Sequence, residues 1–213
     1  MKTDELVQLL AGSAGAVEPK ATQRRLYGAL GWGLFSATLI MAVIWGVRSD
    51  MQHAVQLPLF WFKLAVPAMA AVIAFKLVER LGRPGMRLVY WPWLLLALLL
   101  VLWGSGLLSW VSSDAAMRSA LLFGSSWREC VASITALAFP LLIATLWAMK
   151  GLAPTRPGLA GAAAGLLAGA AGAAIYALHC TEMALPFLAA WYGLGMVAPA
   201  VLGYLVGRRW LRW

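Results

Sequence analysis

The chain has 213 residues, of which 62% are hydrophobic and 12% charged, with 12 Trp and a mean hydropathy of +0.80. Soluble domains carry about 45–50% apolar and about 25% charged residues, so a soluble globular domain is excluded. Lys and Arg number 17 against 8 Asp and Glu, for a net charge of +9. In a soluble chain that balance would suggest nucleic acid, but here the position of the cations marks topology instead.

Residues 1–26 precede the first apolar run. Within them, residues 3–11 predict a short amphipathic helix with Thr3 as its cap, Asp4 and Glu5 in the first turn, and Leu6, Val7 and Leu10 on one face. A helix of about nine residues is not stable alone in water and needs a surface to lie on. Asp4 and Glu5 disfavour anionic lipid, which favours a protein groove over the inner leaflet and makes Leu6, Val7 and Leu10 the candidate partner-binding residues. Residues 12–19, GSAGAVEP, read as a flexible tether.

Six apolar runs follow, at 27–47, 57–75, 88–111, 130–149, 158–178 and 184–206. Each is long enough to cross a hydrocarbon core of ~30 Å at 1.5 Å per residue. Because the runs are continuously apolar rather than alternating, they predict helices and not a barrel. The expected fold is an all-α polytopic membrane protein, with a six-helix bundle over 27–206 and a basic tail at 207–213. The connections are too short to hold a catalytic domain, so no enzyme is expected. A signal peptide is not expected either, since the first run starts at Tyr27 behind a polar segment.

Several features predict how the spans pack. Gly161, Gly165 and Gly169 fall on one face of the fifth span and predict a central helix that neighbouring backbones approach closely. Pro67, Pro140 and Pro199 lie inside the second, fourth and sixth spans, where each removes a backbone bond and is expected to kink its helix.

Of the 17 cations, 13 fall on one side of a six-span path: Lys2, Lys20, Arg24 and Arg25, then Lys76, Arg80, Arg83 and Arg87, then Lys150 and Arg156, then Arg208, Arg209 and Arg212. Arg48, Arg118 and Arg128 fall on the other side and Lys63 inside the second span. The positive-inside rule therefore places both termini in the cytoplasm. Trp45, Trp61 and Trp110 at expected outer ends, and Trp91, Trp93, Trp147 and Trp210 at inner ends, agree with headgroup-level aromatic belts.

The chain has two cysteines, Cys130 and Cys180. This topology puts both at the outer face, next to Glu129 on one side and to His179, Thr181 and Glu182 on the other. Two thiols rimmed by ionisable groups could hold a soft metal ion transiently, with His179, Glu129 and Glu182 as further ligands or supports. They could instead form a disulfide, or simply fill apolar space. No resident cofactor is expected. Lys63, near the outer end of its span, is expected to snorkel, with pairing to Glu129 or Glu182 the lesser alternative.

Several strings resemble the NrsF family: Phe60-Trp61-Phe62-Lys63-Leu64, Ser126-Trp127-Arg128-Glu129-Cys130, Ala153-Pro154-Thr155-Arg156-Pro157, Tyr176-Ala177-Leu178-His179-Cys180-Thr181-Glu182, Trp191-Tyr192-Gly193-Leu194-Gly195, and Gly207 to Trp213. That family comprises six-span bacterial inner-membrane anti-sigma factors, and the likeness covers nearly the whole chain while fading over residues 1–26. The resemblance implies an extracytoplasmic-function sigma factor as partner, lipid around the bundle, and no direct contact with nucleic acid. It also implies release of the sigma factor when heavy metal or oxidant acts at two cysteines, here Cys130 and Cys180. Spans four and five, which carry them, are expected to pass the signal inward.

A small transporter or metal exporter is the alternative. It is disfavoured because all eight acids lie outside the hydrocarbon core or at its rim, whereas ion-coupled carriers keep an ionisable group on the substrate path. A thiol oxidoreductase is disfavoured by the lack of a CxxC motif. The expected orientation is checked by C-terminal fusions: green fluorescent protein joined after Trp213 fluoresces, whereas alkaline phosphatase at the same place stays inactive.

Overall fold

The computed structural model describes residues 3–13 and 20–212. Among these residues the chain is all-helical, without strands, and six helical stretches are long and apolar enough to cross a membrane. The first helix, α1 (Thr3–Ser13), begins at Thr3 itself, so Thr3 is its first helical residue rather than the cap that precedes it. Every residue of α1 from Thr3 to Gly12 is exposed, including Leu6, Val7, Leu9 and Leu10. Of the predicted tether, residues 12–19, Gly12 and Ser13 belong to α1, and residues 14–19 lie outside the described residues.

The bundle consists of α2 (Ala21–Ile40), α4 (Pro58–Leu81), α5 (Trp91–Val111), α7 (Trp127–Lys150), α8 (Pro157–Tyr176) and α10 (Gly193–Trp210). Shorter helices join them: α3 (Met51–Ala54), α6 (Ala115–Phe123) and α9 (Leu185–Phe187). α2 closes in a π-turn over Met41–Trp45, and α9 runs into α10 through a second π-turn over Leu188–Tyr192. Two departures from expectation concern boundaries. α2 starts at Ala21, inside the segment assigned to the N-terminal arm, and the connection expected at 112–129 holds the amphipathic helix α6.

The outside of this bundle is apolar, as a bilayer requires: Trp32, Val43, Leu108 and Trp93 are all exposed. Its centre is α8, which buries 72% of its most apolar window against 17% for α2 and for α5. The cause is its small side chains. In lipid there is little apolar driving force between helices, and close backbone packing takes its place. α8 packs on α10, α4 and α7. A Cβ added at Gly161 would land on the carbonyl of Gly203, and one at Gly165 on the carbonyl of Pro199. At Gly169 it would come 2.7 Å from the carbonyl of Met196, and at Gly172 it would come 2.8 Å from that of Ile134. The central helix predicted from the glycine spacing is therefore present. Pro67, Pro140 and Pro199 each lie inside a helix that continues through them.

The two ends of the bundle differ in charge. At one end, the Arg25 guanidinium of α2 packs on Gly151 at the end of α7. The Lys150 ammonium there lies 5.0 Å above the Trp210 ring of α10, and Leu211 is fully buried. That basic end receives the start of α2 and the finish of α10. The opposite end carries both cysteines.

Replacing Gly165 by Leu drives a side chain into the backbone of α10 and is expected to cost more than the ~1–3 kcal/mol typical of overpacking. Gly104→Leu, where nothing lies within 4 Å of an added Cβ, should stay within ~0.5 kcal/mol of the parent. Thermal unfolding in detergent of the two variants measures the difference.

Candidate functional site

Cys130 and Cys180, fifty positions apart in sequence, share one buried layer. Cys130 sits in the first turn of α7, its amide bonded to the Ser126 carbonyl at 3.0 Å. Cys180 follows the end of α8, its amide held at 3.0 Å by the Tyr176 carbonyl. Both are free thiols and both are buried. They lie close enough to each other, and to Lys63, to interact electrostatically.

Lys63 does not snorkel. It is 2% exposed, and its Nζ donates to the carbonyls of Cys180 and of Glu182, both at 2.7 Å. Neither predicted carboxylate partner receives it: the acceptor at Glu182 is the main-chain oxygen, and Glu129 is exposed. An ammonium in a low-dielectric layer needs its hydrogen bonds satisfied, and the segment 180–184 after α8, which is not helical, leaves carbonyls free to do so. The same ammonium lies 5.2 Å from the ring centre of Tyr192, which adds a cation–π contact. Tyr192 is buried in the second π-turn. Its hydroxyl faces the Cys180 thiol without reaching hydrogen-bond geometry.

A second cation converges on the same carbonyl. Arg48 is 8% exposed and donates through Nη1 to the Cys180 oxygen at 3.3 Å. Its main-chain amide bonds the Leu178 oxygen at 3.1 Å. Two further guanidinium nitrogens grip Asp50 in a fork, both at 2.7 Å. Gly46, at φ 72°, makes the turn that brings Arg48 back over the end of α8.

Glu182 ties in a third element. Its carboxylate accepts from the amide and the hydroxyl of Ser125, both at 2.7 Å, and so staples the turn between α6 and α7. Gly124 in that turn has φ 53°, and a Cβ there would fall 2.7 Å from the Glu182 carboxyl carbon. His179 is engaged by the loop after α2, its Nδ1 lying 3.0 Å from the Gly46 carbonyl.

The predicted thiols are thus brought together, while the predicted auxiliary ligands are engaged elsewhere or exposed. Among the described residues no three His, Cys, Asp or Glu side chains gather as a metal site. The layer holds two thiols within electrostatic reach of each other, and an ammonium whose acceptors flank one of those sulfurs. Sequence reasoning missed Arg48 and Tyr192. The only signal for Arg48 is that it is one of three cations on the poorly charged side, and the only one for Tyr192 is its place in the Trp191–Gly195 string that carries the family resemblance.

Asp50 lies outside the spans, and its hydrogen bonds to Arg48 hold its carboxyl down at about 2. A lowered carboxyl stabilises the fold above the unfolded value, and that contribution fades as pH falls through the folded one. Asp50→Asn should therefore melt earlier than the parent above pH ~4 and coincide with it below pH ~2, measured by thermal unfolding across that range.

The family described as NrsF, negative regulator of sigma F, matches residues 10–213. A probable anti-sigma-F factor NrsF of Azospira oryzae is 43% identical over 213 residues, covering both chains completely. The anti-sigma-F factor NrsF of Caulobacter vibrioides is 39% identical over 232 residues, again with full coverage of both. No solved structure matches. With the match running through both cysteine segments and the basic tail, this chain belongs to the NrsF family of negative regulators of sigma F.

Proposed function

We propose that this protein is an anti-sigma factor of the bacterial inner membrane that sequesters an extracytoplasmic-function sigma factor and frees it when oxidant or heavy metal acts at Cys130 and Cys180. Both termini lie in the cytoplasm in this reading, and the basic end of the bundle faces inward. The sigma factor takes the apolar face of α1, where Leu6, Val7 and Leu10 are exposed, into a groove of its own. The protein turns over no substrate.

The observation that carries the reading is the pairing of two distant thiols in one buried layer at the end of the bundle away from the start of α2. Paired thiols respond to oxidants by losing two protons and two electrons to form one S–S bond, the oxidant accepting both. Two features favour that chemistry over tetrahedral metal binding. No third ligand stands in the layer among the described residues, and the Lys63 ammonium beside Cys180 opposes a second positive charge. A thiophilic ion held by two sulfurs would draw the same two helix ends together.

The test is a pull-down of the full-length protein from its host in mild detergent, with and without a thiol oxidant. Cys130→Ser and Cys180→Ser are expected to keep the sigma factor under both conditions, while the parent loses it. Full release on oxidation from the double serine variant would overturn the sensing half of the reading. Val7→Asp with Leu10→Asp should weaken capture at least ~10-fold, roughly the loss of one buried apolar side chain. Undiminished capture would move the binding surface away from α1.

A further inference from the structure

α4 joins the thiol layer to the place where α2 begins. Near its outer end it carries Lys63, bonded to the Cys180 and Glu182 carbonyls. Near its other end it carries Glu79, whose Oε1 accepts from Gln23 Nε2 of α2 at 2.7 Å. Lys76 and Arg83 hold the same carboxylate from within and beyond α4, at 3.3 and 3.5 Å. Sixteen residues separate Lys63 from Glu79, a rise of roughly 24 Å along one uninterrupted helix. Gln23 sits in the first turn of α2, ten residues after the last residue of α1.

We infer that Lys63 is the residue through which the thiol layer acts on the rest of the molecule, and that α4 carries the movement to α2 through the Glu79–Gln23 bond. The inference rests on the sensing role proposed for the cysteines, and it replaces the expectation that α7 and α8 alone pass the signal. The reason is electrostatic. With Cys180 reduced, its carbonyl and that of Glu182 satisfy two of the three Lys63 donors. On this reading, joining Cys180 to Cys130 shifts the 180–182 segment and breaks at least one of the two 2.7 Å bonds. A buried ammonium stripped of its acceptors regains them only from water.

Water is near. Lys63 lies five residues after Pro58, the first residue of α4, so the helix start is roughly 7.5 Å away. A small outward slide or rotation of α4 returns the ammonium to the interface. The other end of α4 moves with it, because a packed helix shifts as a body. Glu79 then leaves Gln23, and the first turn of α2, which anchors the arm bearing α1, is released from the bundle. Coupling through one ion and one amide bond of this kind falls within the five- to 150-fold affinity changes usual for allosteric proteins.

The experiment uses the full-length protein in phospholipid nanodiscs, bound to its sigma factor, with diamide as oxidant. Each Cys130–Cys180 pair gives two protons and two electrons to the azo bond of diamide, which becomes the hydrazine. Disulfide formation is quantified by mass spectrometry, so that sigma release is compared only at complete oxidation. The parent should lose sigma affinity at least ~10-fold on oxidation.

Lys63→Met keeps the aliphatic stem and removes the charge, so no ammonium is stranded and the Cys180 carbonyl keeps Arg48 as its donor. Gln23→Leu cuts the link at the far end of α4, out of reach of the thiols, and cannot change their chemistry. Lys63→Met is expected to bind sigma as the parent does when reduced, whereas Gln23→Leu, which lacks the bond to Glu79 from the start, is expected to bind it ~10-fold more weakly even when reduced; both form the disulfide and change affinity less than ~2-fold on oxidation, outside the usual allosteric range. Parental release by fully oxidised Gln23→Leu overturns the inference, whatever Lys63→Met does. If instead the oxidised parent holds its sigma factor, the sensing reading itself fails.

Discussion

A positive charge buried at the rim of a membrane organises one end of this molecule. An isolated ammonium in that layer would cost several kcal/mol, and the fold meets the cost with main-chain oxygens rather than with an acid. The oxygens come from residues 180–182, where α8 has ended and α9 has not begun, so that carbonyls are free. Arg48 leans on the same segment from the loop after α2, and Glu182 anchors it to the turn before α7. Two connections and one helix that are remote in sequence are thereby drawn onto one short stretch, which carries one of the two thiols.

The rest of the bundle supplies rigidity by a different route. Along α8 the glycines bring α10 so near that backbone meets backbone, and such an interface has few alternative packings. α4 and α7 lie against the same central helix. α4 contributes larger side chains, among them Phe60, Val66, Ile73 and Leu77. The least constrained helices are α2 and α5, most of whose surface faces outward. The division is physical: a close-packed seam of α8 and α10, a polar clasp at one end, and helices of decreasing burial around them.

Much of this was legible in the sequence, for reasons that can be named. Run length and continuity gave six spans, because a bilayer leaves no other way to satisfy the backbone. Gly161, Gly165 and Gly169 announced the central helix, since their spacing is a direct statement about one face. That Cys130 and Cys180 lie toward the same end of the bundle followed from counting crossings. What could not be read was anything decided by main-chain geometry. Lys63 was expected to reach for water or a carboxylate because side chains are visible in a sequence and free carbonyls are not. Arg48 looked like one of a few outer cations, and only the turn at Gly46 turns it inward. Tyr192 sat in an apolar string, and a π-turn changes which face it presents. Helix α6 reads as a connection in the sequence because nine amphipathic residues lie below the length that marks a span.

The burial of both thiols has a kinetic consequence. A reagent cannot meet Cys130 or Cys180 until the clasp over them opens, so reaction proceeds through a minority open population. At low dose the rate follows the product of that population and reagent concentration. At high dose it reaches a ceiling set by the opening rate alone, and further reagent no longer hastens it. Small neutral species that dissolve in the membrane edge pass more readily than bulky or charged ones. The packing around the sulfurs therefore sets both a size filter and a speed limit on any reagent that attacks them, and neither owes anything to the intrinsic reactivity of cysteine.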